Sequence, residues 1–306
     1  MFQHDITLKD KDLFEKYVFS YPYETSGLSF TSLFMWRQLN EFKYEIINDF
    51  LCIGGVSLLN MDKKEPFVLP PLAVGKYDLN KLSITMDEIK KRFDQKGFPF
   101  QIKLLPKHLI PTFDEAMQDK LIFTEDRVNF DYVYLTNDLI ELKGRKYHSK
   151  KNHLNYFMRN IPHKYVPLTK DLIQHCLDFN KRLIDYKDLN SFSNHLIEAE
   201  EIALKEALLN MDHLNCKGGA ILIDNEVQAF TLGGKLYNDT IVVHIEKANP
   251  TIKGLYQAIN NEFCKNECID IKYINREEDM GLENLRKAKL SYRPYKMVEK
   301  FNVTFI

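Results

Sequence analysis

The sequence has few of the features that mark secreted, membrane-spanning or metal-binding proteins. Its 306 residues contain five cysteines and no CxxC pair, which favours reduced thiols over a disulfide framework or a zinc site. No stretch approaches the roughly 18 apolar residues of a membrane-spanning helix, and the first residues lack an apolar signal core. These absences predict a cytoplasmic protein with no transmembrane segment and no metal.

Motifs of several common enzyme classes are also missing. The sequence contains no GxGxxG, P-loop, HExxH or GxSxG, so hydride transfer, nucleotide hydrolysis and serine hydrolysis lose support. The formal net charge is −1, from 42 Lys and Arg against 43 Asp and Glu, so the whole protein is not a polycation. Contact with nucleic acid would therefore need a local basic patch.

The sequence does contain one order of predicted elements that occurs twice. With 306 residues, 44% of them hydrophobic, it can form two domains with well-buried cores. Apolar runs flank Asn48-Asp49 in the first half and Asp224-Asn225 in the second, and Asn and Asp favour the turn of a β-hairpin. In each half helices precede the hairpin, and strand, helix, strand, helix and strand follow it.

This repeated order predicts an α/β fold in which a mixed (α+β) sheet with helices on both faces is duplicated. We place the two tandem domains at 1–136 and 137–306, with final strands at 129–135 and 295–301. The second domain is expected to be the active one, because the first has no polar cluster comparable to Asn275–Asp279. The first domain is expected to be structural or to bind the acceptor.

The cluster Asn275–Asp279 is the strongest functional signal, because it joins a predicted strand at 269–274 to a predicted helix at 281–290. Polar residues between a strand end and a helix start are where α/β proteins tend to place ligand sites. Asp279 also suits a helix cap, and its ionised form could serve as a counter-charge to an amine. The nearby cations are either ligand contacts or a solvated helix face: Arg276, Arg286, Lys289 and Arg293.

Two further features precede this cluster. Alternation along the predicted strand 240–246 places His244 and Glu246 on one face, either as a substrate-facing pair or, as the residues alone favour, as a polar pair beneath a helix. The following loop, Lys247–Gly254, leads into a helix beginning at 255. Its glycine either presents backbone N–H groups to a phosphate or simply turns the chain.

A basic run lies where the two halves join. Between Leu142 and Lys170 there are eight Lys or Arg, three His and no acidic residue, with Tyr147, Tyr156 and Phe157 interleaved. This excess predicts contact with phosphates, either of RNA or of anionic head groups, over the alternative of a solvated helix face. The residues we assign to this contact are Lys143, Arg145, Lys146, Lys150 and Lys151.

Four segments together resemble a bacterial family that is similar to the C-terminal domain of phosphatidylglycerol lysyltransferase: GGAILIDNEVQAFTLG, VVHIEKA, KGLYQAINNEF and YINREEDMGLENLRKAKLSY. That family is similar to the GNAT acyltransferases and the Fem peptidyltransferases, and it carries two tandem GNAT-like domains. The resemblance implies transfer of an acyl or aminoacyl group. In the lysyltransferase the donor is aminoacyl-tRNA and the acceptor is a lipid hydroxyl.

One departure from the GNAT pattern bears on the donor. GNAT enzymes hold the pyrophosphate of coenzyme A in a Q/R-x-x-G-x-G/A loop. Here Asn249 takes the first position and Ile252 replaces the middle glycine, ahead of Gly254. A side chain at the middle position hinders close backbone approach to a pyrophosphate. The pattern therefore favours aminoacyl-tRNA, with acyl coenzyme A as the alternative donor.

We therefore expect an aminoacyltransferase that needs no cofactor, because an aminoacyl ester is already activated and the site need only position it and stabilise an oxyanion. Its acceptor is an unidentified amine or hydroxyl on a small molecule or lipid. We assign Asp279 and Glu246 to the amine or acceptor, Arg276 and Lys247 to the carbonyl or phosphate, and His244 to the proton. The predicted substrate-binding residues are Lys247, Gly254, Tyr256, Gln257, Asn275, Glu277, Arg286 and Lys289.

Two alternatives come from other classes of protein. One is a module that binds tRNA or an anionic metabolite without turnover. The other is an N-acyltransferase that depends on acyl coenzyme A.

Overall fold

A computed structural model of the protein describes residues 2–57, 65–185 and 191–306. The chain forms two compact units, each with its own sheet. Unit 1 comprises Met1–Asp131, Glu278–Gly281 and Val298–Ile306, and unit 2 comprises Tyr132–Glu277 and Leu282–Met297. The units are discontinuous in sequence, and so they differ from the linear division at 136 and 137 that the sequence predicts.

The predicted order of helices and strands recurs in both halves of the chain, with three short strands that the sequence did not predict and with the last predicted strand divided into two: the additional strands are His4–Asp5, Leu121–Glu125 and Lys164–Pro167. The first half contains β1 (His4–Asp5), α1 (Lys11–Val18), α2 (Phe30–Met35), β2 (Lys43–Ile47), β3 (Phe50–Ser57), β4 (Glu65–Val68), α3 (Leu79–Gln95), β5 (Ile102–Pro106), α4 (Ile110–Met117) and β6 (Leu121–Glu125). Next come β7 (Asp131–Leu135), α5 (Thr136–Glu141), α6 (His148–Asn160), β8 (Lys164–Pro167), α7 (Lys170–Asp185) and α8 (Ser191–Leu209). The chain ends with β9 (Lys217–Ile223), β10 (Glu226–Tyr237), β11 (Thr240–Ala248), α9 (Leu255–Glu267), β12 (Tyr273–Asn275), α10 (Glu283–Leu290), β13 (Lys296–Val298) and β14 (Lys300–Phe305).

The two sheets have the same plan. Across the described residues the strand order is β1-β2-β3-β4-β5-β14-β6 in unit 1 and β8-β9-β10-β11-β12-β7-β13 in unit 2. In each sheet the fourth and fifth strands pair in parallel, and both neighbouring pairings, third with fourth and fifth with sixth, are antiparallel. The predicted duplicated mixed α/β fold is confirmed.

The sixth strand of each sheet comes from the end of the other half of the chain. β14 pairs with β5 and β6 in the sheet of unit 1, whereas β7 pairs with β12 in the sheet of unit 2. The assignment of the strand at 129–135 to the first domain was therefore wrong. The strand predicted at 295–301 is divided, because β13 lies in the sheet of unit 2 as expected whereas β14 joins the sheet of unit 1. Apolar patterning identifies a segment as a strand, but it does not specify which sheet supplies the neighbouring hydrogen bonds.

Both predicted hairpins are present, and their turns explain why Asn and Asp occupy them. Asn48 and Asp49 have φ of 48° and 71°, and Asp224 and Asn225 have φ of 51° and 64°. Left-handed backbone at both central residues matches the right-handed twist of the adjoining strands, and Asn and Asp tolerate this conformation better than other residues with side chains.

The core of unit 2 lies between its sheet and α9. This helix buries Leu255, Ala258, Ile259 and Phe263 against sheet residues such as Ile241, and α5 and α6 cover its other sides. On the opposite face of the sheet α7 contacts β10, where the rings of Phe179 and Phe230 meet edge to face. In the described ranges, no helix combines the length and apolar character that a membrane crossing requires.

Candidate functional site

The site is built on a β-bulge in β11. Leu232 of β10 pairs with Ile245, but the next residue, Gly233, pairs with Val243, so His244 is the extra residue on its strand. The side chain of Thr231 donates a hydrogen bond of 2.8 Å to the carbonyl of Ile245 beside the bulge. A bulge shifts the alternation of side chains by one residue.

This shift corrects the predicted strand faces. Ile241 and Val243 belong to the core beneath α9, and simple alternation would point Glu246 away from them. Instead Glu246 accepts a hydrogen bond from Asn260 of α9, and so lies on the α9 face. The predicted division of faces, with Glu246 opposite Val243, was wrong because the sequence gives no sign of the bulge.

Beyond the bulge, none of the described strands pairs with β11 on the side of β12. The parallel pairing of the two strands is limited to Thr240–Val242 with Tyr273–Asn275, after which β12 ends. Side chains from the residues after β12 contact the free half of β11. We call this gap between the two strands the strand opening. It lies at the start of the polar segment and brings together four of the predicted residues: His244, Glu246, Arg276 and Glu277.

The first pair across this opening is Glu246 and Arg276. The Nη2 atom of Arg276 donates to Oε1 of Glu246 at 2.7 Å, and Nδ2 of Asn260 donates to Oε2 at 3.1 Å. The side chains of Arg276 and Glu246 are 14% and 12% exposed, so the ion pair is largely withdrawn from water but not sealed. A carboxylate held from both sides in this way keeps its orientation.

Aromatic rings and one lysine surround the guanidinium. Arg276 lies 5.0 Å from the ring centre of Tyr292 and 5.8 Å from that of Tyr134, and Lys150 lies 4.6 Å from the Tyr292 ring. Burial opposes the charge of Arg276, but Glu246 and the surrounding groups hold the pKa of Arg276 above its ordinary value. Burial raises the pKa of Tyr292 to about 12, and burial together with the charge of Arg276 lowers the pKa of Lys150.

The second pair across the opening is His244 and Glu277. Nδ1 of His244 lies 2.9 Å from Oε1 of Glu277, and the imidazole is 0% exposed whereas the carboxylate side chain is 21% exposed. A carboxylate accepts hydrogen bonds, so Nδ1 donates, and Nε2 of a neutral ring is then left as an acceptor. When a carboxylate orients an imidazole in this way, the other ring nitrogen can accept a proton from a bound group.

Three buried polar atoms of this cluster have no hydrogen-bond partner among the described residues: Nε2 of His244, Oδ1 of Asn260 and Nη1 of Arg276. Buried polar groups are nearly always satisfied, because leaving one unpaired costs about 1–3 kcal/mol. All three belong to side chains that contact Glu246 or Glu277 at the strand opening, which is therefore a place where a ligand or ordered water would complete the hydrogen bonding. We call the residues His244, Glu246, Asn260, Arg276 and Glu277 the strand-opening cluster.

Asp279 is not part of this cluster. It falls in unit 1, where its fully buried carboxylate accepts hydrogen bonds from Arg127 at 3.2 Å and from the backbone N–H of Gly281 at 2.9 Å. The helix that follows begins only at Glu283, with Leu282 at its N-cap, so Asp279 does not cap it.

The loop before α9 packs against protein. Lys247 forms an ion pair of 2.5 Å with Glu200 of α8. Gly254 has φ of 87°, and a Cβ there would collide with the carbonyl oxygen of His153 and lie 2.9 Å from Cβ of Phe157. The missing side chain therefore allows close approach of α6, which favours the turn interpretation of this glycine over the phosphate interpretation.

The other predicted substrate-binding residues fall into two groups. Gln257 hydrogen-bonds to Tyr292, next to Arg276, and buried Lys289 donates to the carbonyl of Arg276. Asn275 supports the same segment, since its Oδ1 accepts from the N–H of Glu277 at 2.8 Å. Tyr256 is exposed at the start of α9, and Arg286 is half-buried on α10.

The basic run divides between two environments. Lys143, Arg145, Lys146 and Lys151 are exposed, whereas half-buried Lys150 turns toward Tyr292 and Arg276. Lys146 has one weak acidic contact, 3.5 Å from Asp138, and Lys151 donates to the carbonyl of Glu141. An exposed, predominantly basic surface therefore lies at the start of α6, and Lys150 connects it to the strand-opening cluster.

Sequence reasoning missed Asn260, Tyr134, Tyr292 and the role of Lys150. Asn260 leaves a detectable signal, because it is an amide within the otherwise apolar face of a helix. Tyr134 leaves none, because it reaches Arg276 only through the exchange of β7 into the second sheet.

Two mixed sheets of the same plan, the second with a bulged strand and a polar opening beside it, define a duplicated α/β protein. The chain matches the family described as phosphatidylglycerol lysyltransferase, C-terminal, over residues 19–304, and it belongs to that family.

Solved structures agree with this fold. A conserved protein of unknown function from Bacteroides thetaiotaomicron is 33% identical over 99% of this chain and 98% of its own, with a TM-score of 0.87. L-PGS from Bacillus licheniformis has a TM-score of 0.65 at 13% identity and covers 100% of this chain and 93% of its own. FemX has a TM-score of 0.64 at 8% identity over 98% and 96% of the two chains. The last two likenesses concern the fold alone.

An uncharacterised protein of Mycoplasmoides gallisepticum is 25% identical over 194 residues, which are 63% of this chain. The match spans 61% of that relative's length.

Proposed function

We propose that this protein is an aminoacyltransferase that moves an aminoacyl group from aminoacyl-tRNA to an amine or hydroxyl acceptor. The strand-opening cluster is the observation that carries this proposal. It combines a buried ion pair, an oriented imidazole and unpaired polar atoms, in a family whose description names transfer of a lysyl group.

The proposed roles follow from the atoms that have no partner within the described residues. Nη1 of Arg276 is a charged donor that would bind the carbonyl oxygen and stabilise the negative charge that develops on it. Nε2 of His244 would take the proton of the attacking amine or hydroxyl while Glu277 keeps the ring in place. The acceptor then bonds to the carbonyl carbon, the ester bond between this carbon and the ribose oxygen breaks, and the ribose oxygen of the tRNA leaves with the proton that His244 returns.

The exposed part of the basic run supports the choice of donor. Lys143, Arg145, Lys146 and Lys151 present cations on the surface, and phosphate contact needs no sequence-specific geometry. The packing of Gly254 against α6 leaves less reason to expect a coenzyme A pyrophosphate loop there. We therefore propose that no dissociable cofactor takes part, and acyl coenzyme A serves as the competing donor in the test.

The test is release and transfer of a labelled amino acid from charged tRNA, measured with and without a panel of amine, hydroxyl and phosphatidylglycerol acceptors. Loss of an oxyanion donor in Arg276→Met should lower kcat by roughly 10²–10³-fold. Loss of a general base in His244→Gln should lower it by roughly 10²–10⁴-fold.

Lys287→Met is the matched control, because Lys287 forms only an exposed ion pair of 2.6 Å with Glu283 one helical turn away. Its rate should equal that of the wild type. Transfer from acyl coenzyme A but not from charged tRNA would overturn the donor assignment. Binding of charged tRNA without release or transfer would favour a non-catalytic binding module.

A further inference from the structure

Within the strand-opening cluster, Asn260 is the member that lies on the buried face of a helix. It is fully buried on α9, between apolar neighbours such as Ile259 and Phe263 that face the sheet. A buried amide costs free energy unless all its polar atoms are satisfied, so its presence here calls for a reason.

Of the two polar atoms in the Asn260 amide, one has a hydrogen-bond partner among the described residues and the other has none. Nδ2 donates to Oε2 of Glu246 at 3.1 Å, whereas Oδ1 is buried and has no partner in the described part of the chain. The reverse orientation would set Oδ1 against the carboxylate, so the contact with Glu246 fixes which atom stays unpaired. Asn260 therefore presents an acceptor right next to a negative charge.

A donor lies on the other side of the same carboxylate. Arg276 reaches Oε1 of Glu246 through Nη2 and leaves Nη1 buried without a partner in residues 2–57, 65–185 and 191–306. Glu246 thus separates an unpaired acceptor on α9 from an unpaired donor after β12. A ligand that satisfies both needs an N–H group and an oxygen acceptor close together.

We infer that Asn260 and Glu246 bind the protonated α-amine of an aminoacyl group while Arg276 binds the adjacent carbonyl oxygen. This inference rests on the proposed function and adds the basis of its specificity. A simple acyl group, such as acetyl, has the carbonyl but no ammonium, and would leave Oδ1 of Asn260 unpaired. Asn260 is then a specificity-determining residue that selects aminoacyl over acyl donors.

A neighbouring asparagine provides the matched control. Asn261 is also buried, and its Nδ2 donates to the carbonyls of Leu139 and Ile140 at 2.8 and 2.7 Å, at the C-terminal end of α5. Its Oδ1 is likewise unpaired among the described residues, but its hydrogen bonds hold two elements together and do not involve Glu246. A change at Asn261 should therefore affect stability without affecting ligand selectivity.

The experiment compares binding of glycinamide and acetamide, which differ by one amine, by NMR titration of the full chain labelled with ¹⁵N. The wild type should bind glycinamide at least about tenfold more tightly, as expected for hydrogen bonds to a charged group. Asn260→Leu should reduce this ratio to about one. Asn260→Ser keeps a donor toward Glu246 and an acceptor oxygen without adding charge, so it should retain part of the ratio; a purely structural role would reduce binding of both probes in both variants.

Equal binding of the two probes by the wild type, or detectable binding of neither, would overturn the inference. So would an unchanged ratio in Asn260→Leu, or a reduced ratio in Asn261→Leu with the fold intact by circular dichroism. Tighter binding of free glycine than of glycinamide would show that the site binds a free amino acid, and the inferred aminoacyl ligand would be wrong.

The transfer assay is independent of this titration. Selective binding without transfer would leave the inference standing and remove the proposed function, whereas transfer without selectivity would do the reverse.

Discussion

Replacing Lys300 with methionine removes the cation from a fully buried ion pair in unit 1. Lys300 on β14 and Asp131 are 1% and 0% exposed, with Nζ and Oδ1 2.6 Å apart. Breaking a buried pair by removing one partner costs about 3–5 kcal/mol, because the remaining charge stays buried without compensation. Asp131 also accepts from the N–H and Oγ of Ser26 at 2.7 and 2.9 Å, which partly compensates it. We therefore expect a loss near the lower end, about 3 kcal/mol.

The assay is urea unfolding of the full chain, followed by circular dichroism, with the free energy of unfolding taken from the midpoint and slope. Adding Asp131→Asn to Lys300→Met removes the stranded charge and keeps an acceptor for Ser26, so about 2 kcal/mol should return. The control is Lys107→Met, since Lys107 forms an exposed pair of 2.7 Å with Glu299 and should cost less than about 1 kcal/mol.

Two results would refute this reasoning. One is a loss in Lys300→Met no larger than that of the Lys107 control. The other is a double variant no more stable than Lys300→Met alone.

Three further predictions follow from unit 2. Gly254→Ala should destabilise the protein by about 1–3 kcal/mol in thermal unfolding, because of positive φ and the collision with α6. Burial raises the pKa of Tyr292 from 10.0 to about 12. The stability that the neutral phenol contributes to the folded state should therefore be complete below pH 10 and be lost between pH 10 and 12. Tyr292→Phe should then show a smaller fall in the free energy of unfolding over that range. Changing Lys143, Arg145 and Lys151 together to alanine should weaken tRNA binding and make the negative slope of log K against log salt less steep by about 2.

Each of these predictions has a contrary outcome. An alanine at position 254 that leaves the melting temperature unchanged but abolishes binding of a phosphate ligand would restore the phosphate interpretation of this glycine. Parallel stability curves of wild type and Tyr292→Phe above pH 10 would remove the tyrosine from the alkaline transition. An unchanged salt slope in the triple variant would show that the basic surface does not contact phosphates. Replacing three exposed lysines elsewhere, Lys91, Lys96 and Lys120, controls for net charge.

The sequence by itself determined the local elements and their repetition. The hairpin turns at Asn48-Asp49 and Asp224-Asn225 require left-handed backbone that these residues tolerate, so their composition predicts them directly. Apolar periodicity likewise located most helices and strands of both halves, although not the short strands β1, β6 and β8. The clustered polar residues after 274 lie on one side of the strand opening. These features depend on neighbours within a few residues, and such neighbours are visible in a sequence.

Only the tertiary structure decided which distant residues meet. The exchange of β7 and β14 places Tyr134 beside Arg276, and the bulge at His244 turns Glu246 toward Asn260. Asp279, adjacent in sequence to the cluster, instead joins Arg127 in unit 1. Strand pairing and side-chain facing depend on backbone hydrogen bonds between remote segments, and any apolar alternating strand can form these with more than one partner.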